Sequence, residues 1–329
     1  AYAVHGDGNL HPGSAYLDGW PVTLFGAFTA ALPIVGEGTT ASPALVDLDG
    51  DGPLEVVLQT TADPGLVLRA DGSSYVELGH FGDQFGAWSN VRAEAFLHGV
   101  SSASVGDLDV DGIYDVINGG IDPEFGLGIV SDGKRREFDH LLGAWNTETG
   151  MFIKGFPRQM EDIQFFMNPA VADLDADGFP EVISGSGGFF VHAFDFEGEE
   201  PEGWPKSTAG WVTSSPAVGD LDGDGLLEVV TATRSGYLFA WDTDGWAHEG
   251  VEWASFHHDH RNSGNVHVDL QLPEPPPPEE EEEEPEGTVL NENPSSCACG
   301  TGGGVSAIRS VALLGLLALW VRRRAALRG

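Results

Sequence analysis

One nine-residue pattern, D-x-D-x-D-G-x-x-[DE], occurs four times without a gap. It constrains the fold more than any other feature of the chain. The copies run Asp47-Leu48-Asp49-Gly50-Asp51-Gly52-Pro53-Leu54-Glu55, Asp107-Leu108-Asp109-Val110-Asp111-Gly112-Ile113-Tyr114-Asp115, Asp173-Leu174-Asp175-Ala176-Asp177-Gly178-Phe179-Pro180-Glu181 and Asp220-Leu221-Asp222-Gly223-Asp224-Gly225-Leu226-Leu227-Glu228. Their first aspartates lie 60, 66 and 47 residues apart. Repeats of about 50 residues mark solenoids, propellers and arrays, in which each unit buries its apolar face against the next.

Each copy is preceded by a short apolar stretch (Pro43 to Val46, Ala103 to Gly106, Pro169 to Ala172, Pro216 to Gly219) and followed by Val-Val or Val-Ile. Short Val- and Ile-rich runs bounded by Gly, Asp, Ser and Pro read as strands. After the fourth copy the sequence predicts a strand over 227–233, a Ser235-Gly236 turn, a strand over 237–241 and a turn at Asp242-Thr243-Asp244-Gly245. Before the C-terminal tail no window has a helical period. The expected class is all-β, a β-propeller of about four to five units, because radial repetition of small antiparallel sheets protects their edges. Gly19-Trp20-Pro21, Gly155-Phe156-Pro157 and Gly203-Trp204-Pro205 form a second repeated marker, 26, 16 and 15 residues ahead of an aspartate copy. An aromatic ring between Gly and Pro suits a packed corner.

Acids occupy positions 1, 3, 5 and 9 of every copy, and Gly occupies position 6. Calcium takes six to eight oxygens at about 2.3–2.6 Å. Alternate carboxylates on a tightly turning chain can converge on one such ion, Gly permits the turn, and the position 7 carbonyl can point inward. The candidate ligands are Asp47, Asp49, Asp51 and Glu55; Asp107, Asp109, Asp111 and Asp115; Asp173, Asp175, Asp177 and Glu181; and Asp220, Asp222, Asp224 and Glu228. Without a cation these groups repel one another. Leu at position 2 points away from the ion and anchors the loop in the core. The pattern is not an EF-hand, whose loop has a Glu at position 12 and flanking helices.

Charge agrees with a cation partner and excludes others. The chain of 329 residues has 52 acids, 15 Lys and Arg, and a formal charge of −37. A general nucleic-acid binder needs clustered bases for phosphate contacts, so nucleic acid is excluded. Both cysteines lie near the end, and residues 1–296 contain none. No disulfide can staple the repeat region, and metal is the usual alternative.

These loops resemble the FG-GAP/VCBS repeats, the calcium-binding units of integrin-α-like β-propellers. The resemblance implies that each loop joins the first two strands of a unit, and that the propeller serves adhesion or recognition of an extracellular protein or glycan. Trp253 to Gly264, with Phe256-His257-His258-Asp259-His260-Arg261-Asn262-Ser263-Gly264, is similar to the closing segment of many bacterial members. The three histidines and Asp259 could bind a transition metal; the likeness implies a structural closing role instead. The chain opens at Ala1 on a strand end, which reads as a truncated or processed N-terminus.

The tail is a separate device. Residues 271–296 contain a Pro/Glu tract from Pro273 to Glu286, which reads as an extended spacer. Residues 297–329 hold Cys297 and Cys299, an apolar stretch over 305–321, and Arg322, Arg323 and Arg324. Seventeen residues are at the short limit for a membrane-spanning helix, and the arginines fit the cytoplasmic side. The order of Cys motif, short helix and Arg cluster resembles the MYXO-CTERM type of C-terminal sorting signal. That likeness implies export, cleavage by a sorting protease, and display at the cell surface, with membrane contact through this helix alone.

Catalysis has no readable basis. No G-x-S-x-G, H-E-x-x-H or P-loop occurs. The expectation is a non-catalytic, surface-anchored, calcium-binding propeller over residues 1–270. The alternatives are a carbohydrate-active propeller enzyme with a site on its loop face, and a purely structural surface protein.

Overall fold

A computed structural model describes residues 1–6, 15–23, 39, 41–59, 65–78, 101–121, 140–164 and 167–275. By contacts the chain separates into two units, Ala1–Pro277 and Pro278–Gly329. The Pro/Glu tract beyond 275, Cys297, Cys299, the 305–321 stretch and Arg322 to Arg324 lie outside the described residues.

The described residues are all-β, and among them no helix is long and apolar enough to cross a membrane. They form four antiparallel sheets in chain order. The first holds β1 (Ala44–Val46), β2 (Glu55–Leu58), β3 (Gly65–Leu68) and β4 (Ser74–Leu78). The second holds β5 (Ser104–Gly106), β6 (Asp115–Ile121), β7 (His140–Asn146) and β8 (Arg158–Met160). The third holds β9 (Ala170–Ala172), β10 (Glu181–Gly185), β11 (Phe190–Phe194) and β12 (Lys206–Ser207). The fourth holds β13 (Ala217–Gly219), β14 (Leu226–Ala232) and β15 (Leu238–Trp246). Each is a meander, and a last strand, β16 (Val251–Trp253), adds to β9.

The strands that precede the aspartate loops lie side by side: β5 packs on both β1 and β9, and β9 on β13. Apart from Leu45 their residues are small or β-branched, and β5 and β9 are buried throughout. Small side chains let neighbouring sheets approach closely along these first strands. Trp145, Phe156 and Trp253 fill the gaps between sheets and are fully buried. Truncating any of them to Ala costs about 3–5 kcal/mol. A second cluster joins the third and fourth sheets through Met167, Ile183, Val191, Leu227 and Val229.

The Gly-aromatic-Pro markers are corners, and the aromatic–Pro peptide is cis at all three. Each contacts a sheet later in the chain. Trp20 donates its indole N–H to the Ala70 carbonyl at 2.9 Å, in the β3–β4 turn. A Cβ on Gly155 would sit 2.2 Å from the Glu197 backbone, in the turn after β11, so only glycine fits. Trp204 meets Trp241 of β15 edge-on at 6.3 Å.

Two expectations are corrected. Asp242 to Gly245 form no turn; they are part of β15. The Asp244 N–H donates to the Leu174 carbonyl at 3.0 Å, and a Cβ on Gly245 would meet the Asp173 carbonyl oxygen at 2.1 Å. Docking onto the third aspartate loop holds this Asp/Gly-rich stretch extended against its local turn preference. Leu221 does not anchor its loop: it is 65% exposed, whereas Leu108 and Leu174 are buried and Leu48 packs on the core. Among the described residues no sheet covers the outer side of the fourth sheet, where β13 has an exposed–buried–exposed pattern.

Candidate metal centres

The aspartate loops connect β1 to β2, β5 to β6, β9 to β10 and β13 to β14, and are numbered 1 to 4 in that order. Each folds on its own carboxylates. Position 1 accepts the N–H of the position 6 glycine through Oδ2, at 3.0, 2.9, 2.9 and 3.1 Å for Gly52, Gly112, Gly178 and Gly225. Position 9 accepts the N–H of the position 2 leucine: Leu48 to Glu55 at 2.8 Å, Leu108 to Asp115 at 3.2 Å, Leu174 to Glu181 at 2.7 Å and Leu221 to Glu228 at 2.5 Å. Strand register and loop thus fix both ends of the acid set.

Three carboxylates gather in each loop, with oxygens within 4.8 Å of one another. In loops 1, 3 and 4 these are positions 1, 3 and 9: Asp47, Asp49 and Glu55; Asp173, Asp175 and Glu181; Asp220, Asp222 and Glu228. In loop 2 they are positions 1, 3 and 5, Asp107, Asp109 and Asp111. Asp51, Asp177, Asp224 and Asp115 stand outside these groups. The position 5 aspartates have a backbone task as well. Asp111, Asp177 and Asp224 each accept the N–H of the residue two further on, at 2.8–2.9 Å. In loop 1 that residue is Pro53, which has no N–H to give.

The donor set fits a hard metal ion. Oδ1 of Asp47 and Oδ1 of Asp173 are buried with no hydrogen-bond partner, which is costly unless something cationic satisfies them. Among the described residues no Lys or Arg forms an ion pair with a loop carboxylate. Burial, then the neighbouring loop carboxylates, hold Asp109 and Asp175 above the usual carboxylate range. Burial pushes Asp115 and Glu181 up to about 8, outweighing their backbone hydrogen bonds. A bound cation reverses this balance, because opposite charge favours the ionised form.

Two features of the loops were not legible as site features. Position 4 is left-handed in every loop: Gly50 at φ 71°, Val110 at 56°, Ala176 at 59° and Gly223 at 85°. The two glycines hinted at it, but Val and Ala masked the pattern. The first amide of three loops is also capped from far downstream. Asp47 N–H donates to His267 Nε2 at 2.8 Å, Asp107 N–H to Glu252 Oε2 at 2.6 Å, and Asp173 N–H to the Gly250 carbonyl at 2.8 Å. No local sequence signal links these partners.

The histidine segment does not assemble as a metal group among the described residues. Asp259 Oδ1 accepts the N–H groups of Arg261 and Ser263 at 2.8 and 3.1 Å, shaping a turn. His258 and Asp259 are buried, and His260 is exposed. The same segment pairs with β1: Leu45 N–H donates to Gly264 at 2.7 Å, and Val266 N–H donates back to Leu45 at 3.2 Å.

No family model matches the chain, and no curated protein is similar to it in sequence. Solved structures similar to it include a rhamnogalacturonan lyase of Bacillus licheniformis, at 17% identity and a TM-score of 0.37 over 67% of this chain. Another is the biofilm matrix protein Bap1 of V. cholerae, at 17% identity and a TM-score of 0.33 over 62% of this chain. This chain spans 53% of the first protein's length and 31% of the second's.

Proposed function

We propose that residues 1–270 are a calcium-binding β-propeller array displayed at the cell surface for adhesion or recognition, without catalytic activity of its own. The observation that carries this reading is the fourfold gathering of three carboxylates within 4.8 Å, in loops that repeat the same backbone hydrogen bonds. An all-oxygen, carboxylate-rich set suits calcium over the softer transition metals, which favour imidazole and thiolate. Meandering sheets whose first strands lie side by side support the propeller reading, with each sheet a blade. Calcium then replaces the disulfides that an exported domain of this kind lacks.

In this reading the C-terminal segment is the sorting device. Cys297 and Cys299 mark the processing point, the 305–321 helix and Arg322 to Arg324 hold the chain in the membrane during export, and the Pro/Glu tract lifts the head off the surface. The ligand is an extracellular protein or glycan.

The test has two arms. Calcium titration of the full chain by calorimetry should show four sites, and chelation should lower the melting midpoint, because an ion that binds only the native state stabilises it. No heat of binding and no shift in midpoint would reject the calcium reading. Mass spectrometry of the protein from cell envelopes should find an end near Cys297 to Cys299; an intact Leu327-Arg328-Gly329 end would reject sorting by cleavage.

A further inference from the structure

The sheets stack by one rule. In each, the first three strands set three small or β-branched side chains directly across from one another on the same face. In the third sheet this row is Ala170, Ile183 and Ala193. In the second it is Ser104, Ile117 and Ala144, and in the first Ala44, Val57 and Val67. All nine are at most 1% exposed, because the next sheet covers them. The third row packs with Val218 and Val229 of the fourth sheet. The second row's face lies so close to the third sheet that a Cβ on Gly106 would meet Val171 Cγ1 at 2.8 Å.

The fourth sheet has the same row, Ala217, Val230 and Ala240, but among the described residues nothing lies on it. Its other face is buried against the third sheet, whereas Ala217 and Ala240 are exposed. Leu238, paired with Ala232 on this open face, is 73% exposed. Exposed contiguous apolar surface marks an interaction site. At the other end of the stack, Ala1 and Ala3 pack with Trp20, Leu58 and Leu68 against the first sheet. Val4 bridges Tyr16, and the Leu17 N–H donates to the Ala3 carbonyl at 3.0 Å, so this stretch is extended. Strand alternation turns Tyr2 and Val4 outward, 72% and 60% exposed.

We propose that the open face of the fourth sheet docks on the Tyr2 and Val4 face of a second copy of this chain, so that copies associate head to tail. The occupant follows from the interfaces inside the chain: at all three, the row-bearing face meets a face of the opposite kind, never its own kind. Stacking two fourth sheets on each other would break that rule and add charge repulsion, because Asp242 stands on this face in line with Glu228 and Gly219. A head-to-tail contact leaves one free end on each side, so it propagates into a ring or a filament. The chain's formal charge of −37 opposes association at low ionic strength, and salt screens that repulsion. The inference does not depend on calcium.

Sedimentation of the full chain over a concentration series tests it. The mean mass should rise past that of a dimer, and rise further as salt is added. Leu238→Asp with Ala240→Asp should block one end, and Tyr2→Asp with Val4→Asp the other; each double variant alone should sediment as a monomer. Mixed, the two should form a dimer and stop there, because each keeps one intact face. All four positions are exposed, so melting midpoints should match that of the unmodified chain. A monomer at every concentration would overturn the inference. So would association that neither double variant weakens, which would arise elsewhere in the chain, or a dimer lost only on changing Leu238 and Ala240, which would mean two fourth sheets stacked on each other.

Discussion

The amide of Asp107 donates to Oε2 of Glu252 at 2.6 Å, across 145 residues of sequence. Together with Asp47 to His267 and Asp173 to Gly250, this bond lets one stretch, residues 250–267, hold the heads of three aspartate loops. Replacing Glu252 with Ala leaves the Asp107 N–H without its acceptor, which costs about 1–3 kcal/mol. Glu252→Gln retains an oxygen acceptor and should cost less. Denaturant midpoints of the two variants, at equal slope, check this; equal losses would show that the bond is not the cause.

The acid groups set an unusual pH dependence. Burial raises Asp115 and Glu181 to about 8, from ordinary values of 3.8 and 4.5. Groups raised in the folded state contribute stability in full below their unfolded values and lose it as pH rises through the folded ones. The chelated protein should therefore melt at a lower temperature at pH 8.5 than at pH 6. Under the proposed calcium reading the ion needs ionised carboxylates, so its stabilising shift should be larger at pH 8.5. Thermal melts with and without chelator at both pH values measure this, and a calcium shift that shrinks with rising pH would contradict it.

His192 titrates in the same direction for a different reason. Its Nδ1 lies 3.0 Å from Glu200 and its Nε2 3.0 Å from Glu161. Burial favours the neutral ring, but the two carboxylates outweigh it and raise the group from 6.5 to about 9. The imidazolium is thus present at neutral pH, and its stabilisation is complete below about 6.5 and lost as pH rises through about 9. NMR titration of the ring should show this midpoint, and Glu161→Gln should lower it. A midpoint below 7 in the unmodified protein would refute the ion triad.

Val110 sits in loop 2 at φ 56°, where loops 1 and 4 use glycine. A β-branched residue pays about 1–2 kcal/mol for the left-handed conformation, and Val110 is 57% exposed, so little packing opposes its loss. Val110→Gly gives back about 0.5–1 kcal/mol as unfolded-chain entropy. The net expectation is a gain of up to about 1.5 kcal/mol, read as a higher urea midpoint with calcium present.

Each loop closes on its own carboxylates, so under the proposed calcium reading the ions should bind independently. Asp222→Ala should remove one of four calcium ions and leave the others at unchanged affinity. At a hundredfold excess over its Kd, one such ion contributes about 2.7 kcal/mol. Calorimetric stoichiometry decides: loss of two or more ions would show coupling between loops.

Sequence alone determined the parts whose physics is local. Regular spacing of Asp and Gly specifies a loop that closes on its own amides, and flanking Val and Ile specify strands, so the four loops and their β1–β2-type setting follow from residue order. What lay beyond reach depends on contacts between units. The identical leucines at position 2 divide by neighbours: Leu108 and Leu174 are buried because another sheet covers them, and Leu221 is exposed because none does among the described residues. Asp242 to Gly245 carry a turn composition but lie in β15, because Leu174 and Asp173 present backbone oxygens to them. Which three of four acids converge in a loop differs where position 9 is Asp and not Glu, one methylene shorter, because the strand register is the same in all four: Val46, Gly106, Ala172 and Gly219 pair with Glu55, Asp115, Glu181 and Glu228. His258 lost its solvent only when Trp253, β16 and the segment to Gly264 folded across the first strands, burying both ring nitrogens beside Asp259.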